Sequence, residues 1–443
     1  MARFDVPPQD VHKTLGEFIL VDGFHLVIDL EKSHGAYIVD ARDGSRYLDC
    51  YAYFSSLPVG HNHPKMFEPE FLEELKRAAL ANPANSDIYS TEYARFVKRF
   101  AELAMPDHFR YLFFIAGGAP AVENALKVAF DWKVRKNFRK GAKSERGHKV
   151  IHFRQAFHGR TGYCLSLTNT DPVKTDYFPK FNWPRIPNPK LRFPITEQVL
   201  EEVERAEQEA LTMIKNVIAE EGDDIAAIII EPIQGEGGDN HFRGEFLRAL
   251  RQIADESDVM LIFDEVQTGC GTTGKMWCCE HFDVWPDILV FGKKTQVCGI
   301  MVSARVDEVP DNVFHVSSRI NSTWGGNLVD MVRGIRAIEI MHEDGLIENA
   351  AETGRYFLQR LEELAQESGG LVSNVRGRGF MLAFDLPTPD KRDAFRQACW
   401  DAKLATLACG ERSVRFRPSL IFTKDHVDEA IEKMRTVLKK VRI

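Results

Sequence analysis

Three short apolar runs end on residues able to do acid–base and carbonyl chemistry. Glu231 follows Ile225–Ile230, Asp264 and Glu265 follow Met260–Phe263, and Lys293 follows Ile288–Phe291 by one glycine. Such runs read as strands of a parallel sheet covered by helices on both faces. In an open parallel sheet the carboxyl ends of the strands share one crevice, so the carboxylates and the lysine come within reach of one another. A lysine in a dry crevice favours its neutral amine, the form that condenses with an aldehyde to a Schiff base. A buried carboxylate beside it can keep the nitrogen of a heteroaromatic ring protonated, which lets that ring draw electrons from a substrate carbon.

Other residues supply the remaining contacts of such a site. Gly117, Gly118 and Ala119 lie between an apolar run, Tyr111–Ile115, and a helix expected to begin near Ala121, where small residues expose backbone N–H groups to a phosphate. Phe157, His158, Gly159 and Arg160 follow the run Val150–Phe153; an aromatic ring there can stack on a cofactor. Arg160 and Arg415 can each grip a carboxylate two-to-two, although Arg417 lies on the same strand face as Arg415. Taken singly, each residue also has an ordinary reading: a surface lysine beside Lys294, a strand-end cap, a turn, a core aromatic, a surface salt bridge.

The elements that must position these groups are legible in outline. Residues 111–330 alternate short apolar runs with amphipathic stretches, including Glu123–Arg135, Leu200–Glu220 and Glu245–Glu256, the pattern of a large α/β unit. Before it, Ala36–Asp40 and Arg46–Cys50 read as strands of a small lobe, followed by helical spacing over Phe71–Leu80 and Glu92–Ala104. After it, long helical spacing over Leu328–Gln366 is interrupted at Gly345, and Gly379–Phe384 and Ser413–Phe416 read as strands beside helices at Asp390–Lys403 and Val427–Leu438. The division expected is 1–75 and 328–443 as two parts of a small α+β domain and 76–327 as the large domain.

Composition bounds the function. A chain of 443 residues with 28% charged and 44% hydrophobic residues has room for a core and does not read as disordered. With 57 basic against 65 acidic side chains, the net charge of −8 offers a polyanion such as nucleic acid no long-range attraction. No run approaches the ~20 apolar residues of a membrane span, and Met1–Asp10 lacks a basic head followed by an apolar stretch, so no signal peptide is expected. The eight cysteines form no CxxC pair, which points to reduced thiols in the cytoplasm and no metal site.

The chain resembles the class III, or ω-, aminotransferases of pyridoxal-phosphate fold type I. The resemblance rests on GGAPAVENALK at 117–127, FHGRTG at 157–162, EPIQGEGG at 231–238, LIFDEVQTGCGTTG at 261–274 and PDILVFGKK at 286–294. EPIQGEGGDNHFR, FGKKTQVCG and SRINSTWGGNL are closer to members that take the terminal amine of L-lysine than to those acting on acetylornithine or 4-aminobutyrate. The resemblance implies pyridoxal 5'-phosphate as cofactor, with Lys293 as the catalytic, Schiff-base lysine, Asp264 on the ring nitrogen, Phe157 stacked on the ring and Gly118 and Ala119 on the phosphate. It further implies Gln267 near the phenolic oxygen, Glu231 as support, and Thr323 reaching the phosphate held by the other subunit of a homodimer. For substrates it implies Arg160 on the α-carboxylate of lysine and the distal carboxylate of glutamate, Arg415 on the α-carboxylate of glutamate, Glu236 occupying Arg415 when lysine is bound, and Asn321 in selection. L-lysine and 2-oxoglutarate would react in ping-pong fashion, with L-glutamate as a product. A 4-aminobutyrate- or ornithine-type relative, or a nonenzymatic homologue without a cofactor absorbance band, are the other readings. Pro120 departs from the family motif, at a helix start where proline is tolerated.

Overall fold

The computed structural model describes residues 6–440. The expectation for the chain start falls in part on Met1–Asp5, and the last small-domain residues on Val441–Ile443; both lie outside the described residues. The centre is a seven-stranded sheet of β1 (Phe109–Ile115), β2 (Lys149–Phe153), β3 (Arg185–Ile186), β4 (Ile225–Ile230), β5 (Met260–Asp264), β6 (Ile288–Phe291) and β7 (Cys298–Ser303). The spatial order is β1-β7-β6-β5-β4-β2-β3. β7 runs antiparallel to both neighbours, β6 and β1, while β6, β5, β4, β2 and β3 pair in parallel.

Alternation along the strands divides the core in two. Ile228, Ile230, Leu261, Phe263, Leu289 and Phe291 pack into one buried cluster, and Ala227, Ile229, Met260, Ile262, Ile288 and Val290 into another. With both faces covered, β4, β5 and β6 are buried at every residue, which is why their sequences are apolar apart from Asp264 at the end of β5. The register sets Asp264 opposite Val290, three residues before Lys293. The functional loops therefore leave adjacent strands at one edge.

β7 is absent from the sequence reading. It fits because Gly299 lets two backbones approach: a Cβ there would stand 2.2 Å from the Phe113 carbonyl oxygen. The helix expected near Ala121 begins at Gly118 and runs to Arg139, so Gly118, Ala119 and Pro120 are its first residues and proline's missing N–H falls where no intrahelical acceptor exists. Helical residues 328–366 divide into Leu328–Glu343 and Leu346–Glu367, with Gly345 left-handed between them. The two ends of the chain meet where Arg46–Asp49 pairs in parallel with Leu404–Ala405, and a four-stranded sheet orders Ser373–Arg378, Met381–Asp385, Ser413–Phe416 and Leu407–Cys409. Among the described residues no helix is long and apolar enough to cross a membrane.

One local feature has no counterpart in the sequence pattern. Ala52, Tyr53, Phe54 and Ser55 all have positive φ, from 41° to 68°, forming one left-handed turn closed by Ser55 N–H to the Tyr51 carbonyl (3.1 Å) and Ser56 N–H to the Ala52 carbonyl (2.8 Å). Each non-glycine residue in that conformation costs about 1–2 kcal/mol. Asp49 offsets part of the cost: its Oδ1 accepts from the Tyr51 and Ala52 N–H groups, and His61 holds its Oδ2 at 2.9 Å.

Candidate active site

The carboxyl ends of β1, β2, β4, β5 and β6 open into a cavity of about 760 Å³. Its lining includes Gly118, Ala119, Phe157, Arg160, Glu231, Glu236, Asp264, Gln267, Lys293 and Arg415, so ten of the residues singled out from the sequence converge there. Thr323 and Asn321 do not: both are exposed and outside this cavity of their own chain. Glu265, grouped with Asp264 by sequence position, is not part of the site. One residue along the strand its side chain takes the opposite face, where it accepts from the N–H groups of Cys278 (2.6 Å) and Cys279 (2.8 Å).

At the deep end, both carboxylates have fixed neighbours. Asp264 Oδ2 lies 2.8 Å from His158 Nδ1 and its Oδ1 accepts from the Val266 N–H at 3.1 Å. Glu231 takes the N–H of Phe157 (2.9 Å) and of Gly235 (3.0 Å), which ties the turn after β2 to the end of β4; burial pushes its carboxyl up to about 7. Lys293 sits in a turn with φ 56°, its Nζ 5.9 Å from the centre of the Phe54 ring. Burial first, and the Arg415 guanidinium second, hold its amine below the ordinary lysine value.

Its neighbour Lys294 has another fate. Its Nζ donates to the Ser55 carbonyl and reaches the Ser55 hydroxyl, both at 3.3 Å, and donates to the Gln267 carbonyl at 3.2 Å; burial pulls this amine to about 7. Lys294 thus pins the left-handed turn carrying Phe54 to the segment carrying Gln267. Lys293 is left for the cavity.

At the mouth the charges are shared. Glu236 accepts from Arg415 Nη2 at 2.8 Å and from Lys174 Nζ at 2.5 Å. Burial raises its carboxyl, but Arg415 and Lys174 outweigh that and hold it below the usual carboxylate range. Gln267 Oε1 accepts from Arg415 Nη1 (3.1 Å) and from Arg417 Nε (3.2 Å). Arg417 is fully buried and paired with Asp239, outside the cavity, so of the two arginines Arg415 alone lines it. Arg160 is exposed at the rim, its guanidinium 6.0 Å from the Phe157 ring centre.

Sequence reasoning missed His158, Lys174, Phe54, Gln296 and Cys298, all of which line the cavity. His158 carried a usable signal, since it stands beside Phe157 after an apolar strand and a buried aspartate needs partners. Lys174 and Phe54 carried none, because their positions are set by a loop and by the left-handed turn.

The residues fit pyridoxal phosphate. The cavity offers an amine, a buried carboxylate, an aromatic face and the N-terminus of the helix Gly118–Arg139, matching an aldehyde, a ring nitrogen, a ring and a phosphate. The cradle at that helix start is kept open by glycine: a Cβ on Gly159 would stand 2.4 Å from Ala119 Cβ. The doubly covered sheet and this pocket define the class of pyridoxal-phosphate-dependent transferases of fold type I. The family model "Aminotransferase class-III" matches residues 20–438, and the chain belongs to that family.

The chain is 50% identical over 442 residues to the L-lysine-epsilon aminotransferase of Mycobacterium tuberculosis, covering all of this chain and 98% of that one. It is 47% identical over 428 residues to the L-lysine-epsilon aminotransferase of Streptomyces clavuligerus, covering 96% and 93%. Among solved structures, lysine aminotransferase from M. tuberculosis superimposes with a TM-score of 0.96 at 50% identity, over 98% of this chain and all of that one.

Proposed function

We propose that this aminotransferase moves the terminal amino group of L-lysine to 2-oxoglutarate, giving 2-aminoadipate 6-semialdehyde and L-glutamate in two half-reactions. The observation that carries the reading is the Arg415–Glu236 pair at 2.8 Å across the cavity that Arg160 rims. With Arg415 occupied by Glu236, one guanidinium, Arg160, is left for a substrate bearing a single carboxylate far from its reacting amine. A dicarboxylate displaces Glu236 and uses both arginines. The similarity to the lysine enzymes of two genera supports lysine as the donor.

Pyridoxal phosphate, when bound, supplies an electron sink for the carbon that carries the amine. Lys293 would hold it covalently, and its Nζ, when free, would take the proton from the ε-carbon of lysine. Asp264, oriented by His158, would hold the ring nitrogen, Phe157 would cover the ring, and Gly118 and Ala119 would present their N–H groups to the phosphate. Glu231 keeps the Phe157 turn in place. Gln267, which accepts from Arg415, would lie near the phenolic oxygen of the cofactor.

The same reading makes the protein a homodimer with shared sites, in which Thr323 and Asn321 serve the partner's cavity. Their exposure supports this, as does the exposed apolar group Ile88, Tyr89 and Trp324. The segments are adjacent, since Ser86 Oγ donates to the Thr323 carbonyl at 3.3 Å. Residues 76–327 are proposed as the large domain, and 1–75 with 328–443 as the small one. The cytoplasm is proposed as the place of action, supported by eight free, buried cysteines.

Mixing the cofactor-loaded protein separately with L-lysine, 4-aminobutyrate, L-ornithine and N-acetylornithine tests the donor. The fastest loss of the cofactor band is expected with L-lysine, with recovery on adding 2-oxoglutarate. A faster response to another donor contradicts the lysine reading and keeps the aminotransferase.

A further inference from the structure

Glu236 has a second partner that the two-arginine scheme does not use. Lys174 Nζ donates to its Oε1 while Arg415 holds Oε2, so the two cations grip the carboxylate from different oxygens. Neither grip excludes the other. The Lys174 side chain is 18% exposed and that of Glu236 is 26% exposed, whereas Arg415 is 2% exposed. The buried end of the triad is therefore the arginine and its outer end the lysine. Lys174 follows Pro172 and Val173 in a short turn whose start is capped by Asp171, with Oδ1 accepting from the Val173 N–H at 3.0 Å. Its ammonium also lies 5.8 Å from the centre of the Phe157 ring, so it belongs to the cavity wall.

Consider the moment when a dicarboxylate takes Arg415. Glu236 loses Oε2's partner and faces an incoming carboxylate of the same charge. A partly buried carboxylate stripped of its only partner costs far more than one that keeps a charged donor. We propose that Lys174 is a specificity-determining residue for the acceptor half of the reaction, holding Glu236 by Oε1 as it yields Arg415 to the dicarboxylate, a role that presupposes the exchange proposed above. It lowers the cost of opening. The monocarboxylate donor leaves the Arg415–Glu236 pair closed and gains less from Lys174.

The test uses cofactor-loaded protein carrying Lys174→Met, with glutarate as an unreactive dicarboxylate followed by calorimetry and with the two half-reactions followed separately by stopped flow. Loss of one charged hydrogen bond predicts a glutarate Kd and a 2-oxoglutarate KM raised about tenfold, with a several-fold smaller change in the L-lysine half-reaction. Lys174→Arg restores most of the affinity. In a Glu236→Gln background the effect of Lys174→Met shrinks, because the carboxylate it serves is gone. Equal losses in both halves, an unchanged glutarate Kd, or an undiminished effect in the Glu236→Gln background overturns the proposal. The glutarate measurement needs no lysine, so an inert L-lysine alongside the predicted Lys174 effect on glutarate binding defeats the donor reading alone.

Discussion

At the deep end of the cavity Lys293, Asp264 and Glu231 stand on or just beyond the ends of β6, β5 and β4, strands buried along their whole length. At the mouth Glu236, Lys174 and Arg160 come from loops, and Arg415 comes from a different sheet. The deep carboxylates are held by backbone N–H groups and one histidine, partners that cannot leave. The mouth carboxylate is held by two side-chain cations, one of which, Arg415, a dicarboxylate substrate can take over. A group that must keep one geometry through both half-reactions is tied to the sheet, whereas a group that must serve two unlike substrates is held by exchangeable ion pairs.

Substitutions at the deep end should abolish chemistry whichever substrate is used. Lys293→Ala is expected to lower turnover with every donor by about 10²–10⁴-fold, with the thermal midpoint unchanged or higher because a buried amine is removed. A retained turnover would show that the proton moves elsewhere. Asp264→Asn is expected to cost about 10²–10³-fold in kcat in both half-reactions, read alongside weaker cofactor retention. If only one half-reaction suffered, the deep end would not be common to both.

Substitutions at the mouth should divide by substrate. Arg160→Met is expected to raise KM for both L-lysine and 2-oxoglutarate by about 10–100-fold, while Arg415→Met raises it by a similar factor for 2-oxoglutarate alone. Steady-state kinetics with each substrate varied in turn reads the difference; equal effects on the donor would erase the distinction between the arginines.

The smallest effect concerns Lys294, a deep-end lysine expected to act on stability. Its amine titrates at about 7 in the fold against an ordinary 10.5, so between those values the unfolded chain binds the extra proton. Stability from this residue therefore rises as pH goes from about 7 towards 10.5. Lys294→Met should flatten that rise in denaturant midpoints taken at several pH values. A slope identical to the parent's would place the titration elsewhere.

This same contrast governs what the sequence disclosed. β4, β5 and β6 were legible because two-sided burial demands uninterrupted apolar runs, and their ends then placed Glu231, Asp264 and Lys293 together. β7 escaped because Cys298–Ser303 follows Lys293 closely and its second residue, Gly299, marks a close backbone approach, which a local pattern does not reveal. The left-handed turn at Ala52–Ser55 is imposed by Asp49 and by the tertiary contact of Lys294, against the local preference of four non-glycine residues. At the mouth, Arg415 was a candidate by its guanidinium chemistry and family resemblance supplied Glu236, but Lys174 stands in a loop whose path no residue spacing encodes. Asp264 lines the cavity and Glu265 does not, because backbone alternation separates neighbours that the sequence sets side by side.

The most direct test of the central claim is transfer of label from L-lysine carrying ¹⁵N at either the ε- or the α-amine to 2-oxoglutarate, with the L-glutamate formed read by mass spectrometry. Label is predicted in L-glutamate from the ε-position only. Label arriving from the α-position, or unlabelled L-lysine recovered unchanged while another ω-amine is consumed, would contradict a cavity that grips the lysine carboxylate at its mouth and delivers the terminal amine to Lys293.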